Sequence, residues 1–340
     1  MSLIRLSRSA LTRNLSLLRA RAGGAEIAAV LKDNAYGHGL KEIAALCSEN
    51  GVKYAVVRNQ NEAKAIAPLF DEILVLADEP TSDAPRNASF ALNDERNALK
   101  WASETRVHLK IDCGMRRNGV AIDAAERTIE TALGRGLILR GVFSHLRSAD
   151  ALSTELFWQE KNFGKIRAIV EKICAKNGID PPKFHLYNSA ALLRNKNADP
   201  YDLVRVGIAL YGYCDLSRPF DRADLKPVLS LWGDRISRRD LRSGDRVGYG
   251  GVFEAKNDFA ASVYDVGYGD GFLRLDGFEG YETPEGKRVL GRVSMDSMTI
   301  EGDGDRVCVL NDAEKLARLR GTISYEVLVR LNPDITREIV

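Results

Sequence analysis

The sequence predicts a (β/α)8 TIM-like barrel followed by a mostly antiparallel β domain, and three observations carry that prediction. Eight short apolar runs alternate with helical segments between Glu26 and Gly207. Strands separated by helices argue for parallel βαβ units, and eight of them suggest a sheet that closes on itself. No G-x-G-x-x-G follows the first of these runs to support an open, dinucleotide-binding sheet. From about residue 216 the texture changes to period-two alternation with Gly/Asp turns, the pattern of antiparallel strands.

Taken in order, the chain opens with a short strand, LIRLS, and an amphipathic helix, SALTRNLSLLRARA, whose leucines fall at helical spacing. The barrel strands are expected at EIAAVL (26–31), KYAVV (53–57), EILVLA (72–77), SFALN (89–93), RVHLKID (106–112), LRGVFSHL (139–146), KFHLYN (183–188) and DLVRVG (202–207). Between them LKEIAALCSEN, DAAERTIETALGRG and STELFWQEKNFGKIRAIVEKICAKNG scan as helices. The stretch from LKPVLSLWGDRISRRD through DVGYGDGF alternates, and KRVLGRVSMDSMTIEG and DRVCVLN continue in that style. A last helix is expected at about 312–319. This divides the chain into a barrel over 9–215 and a β domain over 216–340, which strand 1–8 is expected to join.

Composition narrows the function. With 340 residues, 45% hydrophobic and 28% charged, the chain is globular in type. Its 49 basic and 47 acidic side chains leave a formal charge of +2, no footing for nucleic acid or an anionic membrane. No apolar run approaches a membrane span. Cys47, Cys113, Cys174, Cys214 and Cys308 lie far apart without a C-x-x-C pair, as expected of reduced thiols in a cytoplasmic protein. The Arg- and Ser-rich start has the composition of a transit peptide, but a core strand beginning near Glu26 leaves little spare chain.

Parallel barrels place their chemistry at the carboxyl ends of the strands. There the unusual residues collect: Lys32 after the first run, Arg116 and Arg117 after the fifth, His145 at the end of the sixth, Asn188 and Ser189 after the seventh, and Arg205-Val206-Gly207 ending the eighth. Segments after strands seven and eight commonly cradle a phosphate, and Ser189 reads as an N-cap for AALLR with its hydroxyl free for an anion. A reachable lysine, a phosphate cradle and an arginine on one rim suggest pyridoxal 5'-phosphate joined to the lysine. Singly, each has a duller explanation: strand-end lysines are mostly solvated, histidines mostly satisfied polar groups, and Arg117 could be half of a surface ion pair. Their joint placement is the signal.

Those residues sit in segments that resemble alanine racemase almost end to end. VLKDNAYGHG resembles the family's cofactor-lysine motif V-x-K-A-N-A-Y-G-H-G, and HLKIDCGMRRNG its K-x-D-T-G-M-x-R-x-G segment. FSHL, YNSAALLR, LVRVGIALYGY, VGYGDGF and GRVSMDSM follow in the family's order. The resemblance implies a pyridoxal-phosphate-dependent homodimer that interconverts L- and D-alanine with two bases and supplies D-alanine for peptidoglycan. Lys32 would hold the cofactor and act as one base; Tyr268, from the other subunit, would be the second. Tyr36, Ser189 and the backbone of Gly207 and Ile208 would bind the phosphate, Arg205 would face the pyridine nitrogen, and His145 would lie against the ring. Arg117 and the Met295 N–H would bind the substrate carboxylate, Asp296 would support that wall, and Lys110 matches a position often carbamylated.

Three departures accompany the resemblance: Asp33 stands where alanine is commonest, Cys113 where threonine is usual, and the chain is short between Tyr268 and Met295. The tail TISYEVLVRLNPDITREIV also reads as lacking a second tyrosine near the phosphate, with Tyr325 upstream of that position. His38 reads as structural. The alternatives are a broader serine/alanine racemase, a non-catalytic pyridoxal-phosphate carrier that would not need Tyr268 and Met295, and a decarboxylase, for which no acidic motif is present. No metal is expected.

Overall fold

Eight parallel strands form one sheet: β2 (Glu26–Val30), β3 (Tyr54–Val57), β4 (Glu72–Val75), β5 (Ala88–Leu92), β6 (Arg106–Lys110), β7 (Ile138–Phe143), β8 (Lys183–His185) and β9 (Leu203–Val206), preceded in the chain by β1 (Leu3–Leu6). The computed structural model describes residues 2–195, 201–214, 216–217, 219–220, 223–275 and 280–340. The hydrogen-bonded order runs β8-β7-β6-β5-β4-β3-β2-β9. The remaining seam between β8 and β9 is joined by Asp202 N–H to the Phe184 carbonyl at 3.0 Å and Arg205 N–H to the Tyr187 carbonyl at 2.9 Å. Strands β4 and β5 are buried throughout, the continuous apolar pattern of a sheet covered on both faces.

The other strands are β10 (Leu229–Leu241), β11 (Arg246–Val247), β12 (Phe253–Glu254), β13 (Phe259–Tyr264), β14 (Met298–Glu301), β15 (Arg306–Leu310) and β16 (Thr336–Ile339). Strand β10 is the spine of this second sheet, pairing antiparallel with β1, β13 and β15. The tail, unassigned from sequence beyond its helix, forms helices Ala313–Arg320 and Ser324–Val329 and then β16, which lies parallel to β1. That pairing joins residues more than 300 positions apart, so no local pattern announces it.

By contacts the chain divides into a barrel unit, Leu11–Asp33 with Ile43–Lys226, and a β unit that combines the chain up to Ala10, Asn34–Glu42 and Pro227–Val340. The expected boundary after residue 215 falls on a position outside the described residues. Inclusion of Asn34–Glu42 in the β unit was not expected from sequence. Arg337 binds this segment, donating Nε–H to the His38 carbonyl at 3.1 Å and Nη2–H to the Gly37 carbonyl at 3.1 Å. Gly37, at φ +78°, has the Leu328 carbonyl oxygen 2.0 Å from where a Cβ would stand.

Between strand β2 and that segment the backbone makes a left-handed turn. Asp33, Asn34, Ala35 and Tyr36 have φ of 54, 56, 51 and 52°. Side chains disfavour this by roughly 1–2 kcal/mol per residue. Asp and Asn tolerate it best, which gives Asp33 a physical reason to stand where alanine is common. Burial of Ala35 and Tyr36, with the Leu40 N–H donating to Asn34 Oδ1 at 2.8 Å, offsets the strain.

Candidate active site

On the barrel unit, the carboxyl ends of the strands converge on a crowded set of cations. Lys32 lies two residues beyond β2, its Nζ 3.9 Å from Asp33 Oδ2, while Arg58 reaches Asp33 Oδ1 at 3.1 Å. Lys110 is the last residue of β6, buried, donating to Asn118 Oδ1 and 5.8 Å from the Phe143 ring centre. Burial and the neighbouring charges of Arg117 and Arg205 push its ammonium down to about 8. The loop that carries Arg117 is pinned by Asp112, whose Oδ1 accepts from the Gly114 and Arg116 N–H groups at 2.8 and 3.1 Å.

His145 follows β7. Burial, then the charges of Arg205, Arg117, Lys110 and Lys32, depress its pKa to about 3, so its imidazole is neutral at physiological pH. One side chain thus feels four cations, the signature of a positive field built for an anion.

Arg205 is the most constrained of the four. It is 5% exposed, and its guanidinium donates from Nη1 to His185 Nδ1 at 3.0 Å and the His185 carbonyl at 2.7 Å. From Nη2 it donates to the Ser144 and Leu186 carbonyls at 2.6 and 3.3 Å. These bonds use all four Nη hydrogens and leave Nε–H as the remaining donor. Burial lowers its pKa to about 10, which keeps it charged at neutral pH.

The cradle expected after the seventh and eighth barrel strands differs in one respect from the sequence reading. Asn188, not Ser189, caps helix Ser189–Arg194, accepting from the Ala191 N–H at 3.0 Å. Ser189 is the first helical residue, and its Oγ turns toward the next segment, meeting the Gly207 and Ala209 N–H groups at 3.0 and 3.3 Å. An asparagine one position earlier reaches the same orphan N–H and releases the serine hydroxyl. The turn holding Gly207 and Ile208 is tied to β2 by Tyr211, whose hydroxyl donates to the Val30 carbonyl at 2.8 Å.

The other candidates belong to the β unit. Tyr268, 37% exposed, begins the 3₁₀ turn Tyr268–Asp270. Its N–H donates to the Ser294 carbonyl at 3.0 Å and the Gly269 N–H to the Met295 carbonyl at 2.8 Å, which sets Tyr268 beside exposed Met295 and Asp296. Asp270 anchors the turn, accepting from the Gly267 N–H at 2.9 Å. A cavity of about 500 Å³ adjoins it, lined by Tyr268, Arg274, Arg320 and Arg330 among others.

Tyr36 is buried in the same unit. Its ring centre is 5.6 Å from that of Tyr325, so the tail that read as lacking a second tyrosine in this neighbourhood does supply one. Helix Ser324–Val329 folds Tyr325 back, which linear position alone does not reveal. Cys113 is buried with its thiol raised to about 11, an inert packing group, and all five cysteines are buried. His38 is buried, with Nδ1 3.0 Å from the Tyr36 carbonyl and a pKa lowered to about 4 by burial.

The structure places Lys32, Lys110, Arg117, His145, Ser189, Arg205, Gly207 and Ile208 in the barrel unit and Tyr268, Met295 and Asp296 in the β unit, as the sequence divided them, but it moves Tyr36 from the expected barrel to the β unit. Sequence reasoning missed His185, named Asn188 without its capping role, and set Tyr325 away from Tyr36. The signal for His185 was present: a histidine inside an apolar strand run, KFHLYN, must be buried with a partner. Among the described residues no cluster of His, Cys, Asp and Glu could hold a metal ion, and no helix is long and apolar enough to cross a membrane.

Two family descriptions match this chain in succession: "Alanine racemase, N-terminal domain" over residues 6–215 and "Alanine racemase, C-terminal domain" over 228–339. An alanine racemase of a Nitratiruptor species is 46% identical over 338 residues, covering 99% of each chain. Among solved structures, the alanine racemase from E. faecalis superposes with a TM-score of 0.85 at 26% identity, over 100% of this chain and 98% of that one. A histidine racemase from Leuconostoc mesenteroides superposes at 0.86 with 25% identity, over 100% and 98%.

Proposed function

Because the chain belongs to the alanine racemase family, we propose that it interconverts L- and D-alanine with pyridoxal 5'-phosphate on the barrel rim and two bases, Lys32 and Tyr268. The observation that carries the reading is the field at His145, a neutral imidazole on which four cations bear. A doubly charged phosphate and a substrate carboxylate are the groups such a field would hold. The residues fit the cofactor: a half-exposed lysine, a serine hydroxyl amid backbone N–H groups, and a guanidinium with one donor remaining.

When bound, the cofactor supplies an electron sink for the charge left at the substrate Cα once its proton departs. The chain's own residues do the rest. Lys32 binds the cofactor and moves a proton on one face of Cα; the partner's Tyr268 moves one on the other. Removal from one side and return from the other inverts the centre without turning the substrate. Tyr36, Ser189 and the backbone of Gly207 and Ile208 would hold the phosphate. Arg205, which can donate but never accept, would keep the cofactor's ring nitrogen unprotonated. His145 would lie against the cofactor ring.

Arg117, with the Met295 N–H, holds the carboxylate; a bidentate charged pair contributes roughly 1.5–3 kcal/mol. Asp296 supports that wall. Lys110, with a pKa near 8, has a neutral fraction that carbon dioxide can convert to a carbamate, an anion suited to steady Arg117. Two bases from two subunits make the enzyme a homodimer, and we place it in the cytoplasm.

The test is direct. The purified protein absorbs in the visible, borohydride fixes the label to Lys32 on peptide mapping, and alanine loses optical rotation. A label on another residue, or a colourless protein, removes the assignment. Similarity to a histidine racemase favours a second reading, a broader amino-acid range. Comparing turnover of L-alanine, L-serine and L-histidine separates the two.

A further inference from the structure

Behind Arg205 the barrel core holds a chain of polar side chains that the scheme above leaves unused. His185 Nε2 lies 2.8 Å from His108 Nδ1, and His108 Nε2 lies 3.1 Å from Glu72 Oε1. Ser89 Oγ donates to the same carboxylate oxygen at 2.5 Å. The second oxygen, Oε2, faces Arg106 and Arg140, each Nη2 at 3.4 Å. Glu72, Ser89, His108 and His185 are all buried, none more than 4% exposed. They come from β4, β5, β6 and β8, so the chain crosses the barrel interior strand by strand.

Donor counting gives every link a direction. A guanidinium has no acceptor, so His185 Nδ1 must accept from Arg205 and its proton sits on Nε2. That proton is donated to His108 Nδ1, which places the His108 proton on Nε2, pointing at Glu72. The carboxylate accepts at the end. One anion thereby aligns two neutral imidazoles, and each aligned dipole offers its negative end toward Arg205. Burial would raise the pKa of Glu72, but the hydrogen bond and electrostatic pull of His108 above all, then the Ser89 hydroxyl and Arg106, hold it well below the usual carboxylate range.

The packing around the chain is built to admit it. Gly141 on β7 pairs with His108, and a Cβ there would stand 2.2 Å from His108 Nδ1. Phe143 stacks on the His185 ring at 5.0 Å and an interplanar angle of 9°, which fixes its tilt. A buried carboxylate and two buried histidines cost free energy that apolar residues of like volume would not.

We infer that Glu72 and His108 are positioning residues for the racemase reaction: with His185 they form a one-directional hydrogen-bond relay that aims and electrostatically loads the Arg205 guanidinium from the far side of the barrel. This rests on the reading that Arg205 faces the cofactor's ring nitrogen. Neither Glu72 nor His108 touches the reacting groups; both act through Arg205.

The sequence has four histidines, so [15N]histidine spectra of the cofactor-loaded protein resolve each ring. His108 and His185 are expected in the Nε2–H form. In Glu72→Gln, which keeps volume and an acceptor but removes the charge, the His185 nitrogen resonances move, the visible band of the bound cofactor shifts, and kcat falls about tenfold with KM unchanged. A wild-type spectrum with either ring protonated at Nδ1 overturns the relay, and needs no variant to fold. So does a Glu72→Gln protein whose His185 resonances stay in place, or one in which they move while kcat and the visible band do not. Were wild-type protein to show no cofactor band while the tautomers and the His185 response held, the cofactor reading would fail and the relay itself would stand.

Discussion

The barrel rim and the Tyr268 turn are built by opposite means. On the rim, Arg205 is held by side-chain and carbonyl acceptors inside a buried core, and burial together with the crowded charges around it pushes the pKa of His145 to about 3. At Tyr268 the backbone does the holding: N–H groups of residues 268 and 269 bond the Ser294 and Met295 carbonyls. Gly267 and Gly271 admit close approach there, with a Cβ at Gly271 falling 2.0 Å from the Arg330 carbonyl oxygen. Electrostatic preorganisation therefore belongs to the barrel and backbone placement to the β unit. A change of charge should damage the first, a change of backbone freedom the second.

The sharpest break comes from Lys32→Ala, which would remove both the proposed attachment of the cofactor and one of the two proposed bases. Racemisation should fall by at least about 10⁴-fold, and borohydride should no longer label the chain. Circular dichroism at the melting transition should be little altered, since the ion pair of Lys32 Nζ with Asp33 is a loose 3.9 Å approach. Tyr268→Phe keeps the ring and removes the hydroxyl proposed as the second base. Turnover should drop by about 10²–10⁴-fold, and solvent deuterium should enter from alanine of one hand faster than from the other. Equal exchange from both hands at the wild-type rate would end the two-base scheme.

Gly271→Ala tests the backbone side. At φ +88° and against a carbonyl, the added methyl should cost about 2–4 kcal/mol, read as a lower Tm, with the Tyr268 turn displaced. The same substitution at Gly178, also at positive φ but with open space around its Cβ, should cost about 1 kcal/mol. The difference between the two isolates close approach from backbone strain.

The smallest effect concerns acid. His145 binds its proton more weakly folded, near 3, than unfolded, near 6.5. The unfolded chain therefore holds more protons between these values, and stability falls as pH drops from 6.5 toward 3. His145→Gln should flatten part of that fall in pH-dependent denaturation, leaving the contributions of His38 and His185, whose pKa values burial also lowers.

How much of this was legible beforehand varies along the chain. The strands were read to within a few residues, because apolar runs bounded by turn residues are local signals. The rim residues followed from where strands end. The N-cap was misplaced by one position because Asn188 and Ser189 are both good caps, and only geometry shows which side chain points back at the helix. Tyr325 beside Tyr36, Arg337 on the loop of residues 37–38, and β16 beside β1 were invisible, each joining segments roughly 290–330 positions apart. Glu72 and His108 were visible only as polar residues in buried runs, without partners.

Sequence alone determined the order of strands and helices, the chemistry available at each strand end, and the family. Those properties are written in short windows, where periodicity and residue type act directly. Tertiary structure decided which cations share a field, which way each imidazole is protonated, and how a left-handed turn of four non-glycine residues is tolerated. Electrostatic coupling, donor direction and strain all depend on distances between residues the chain keeps far apart, and folding alone sets those distances.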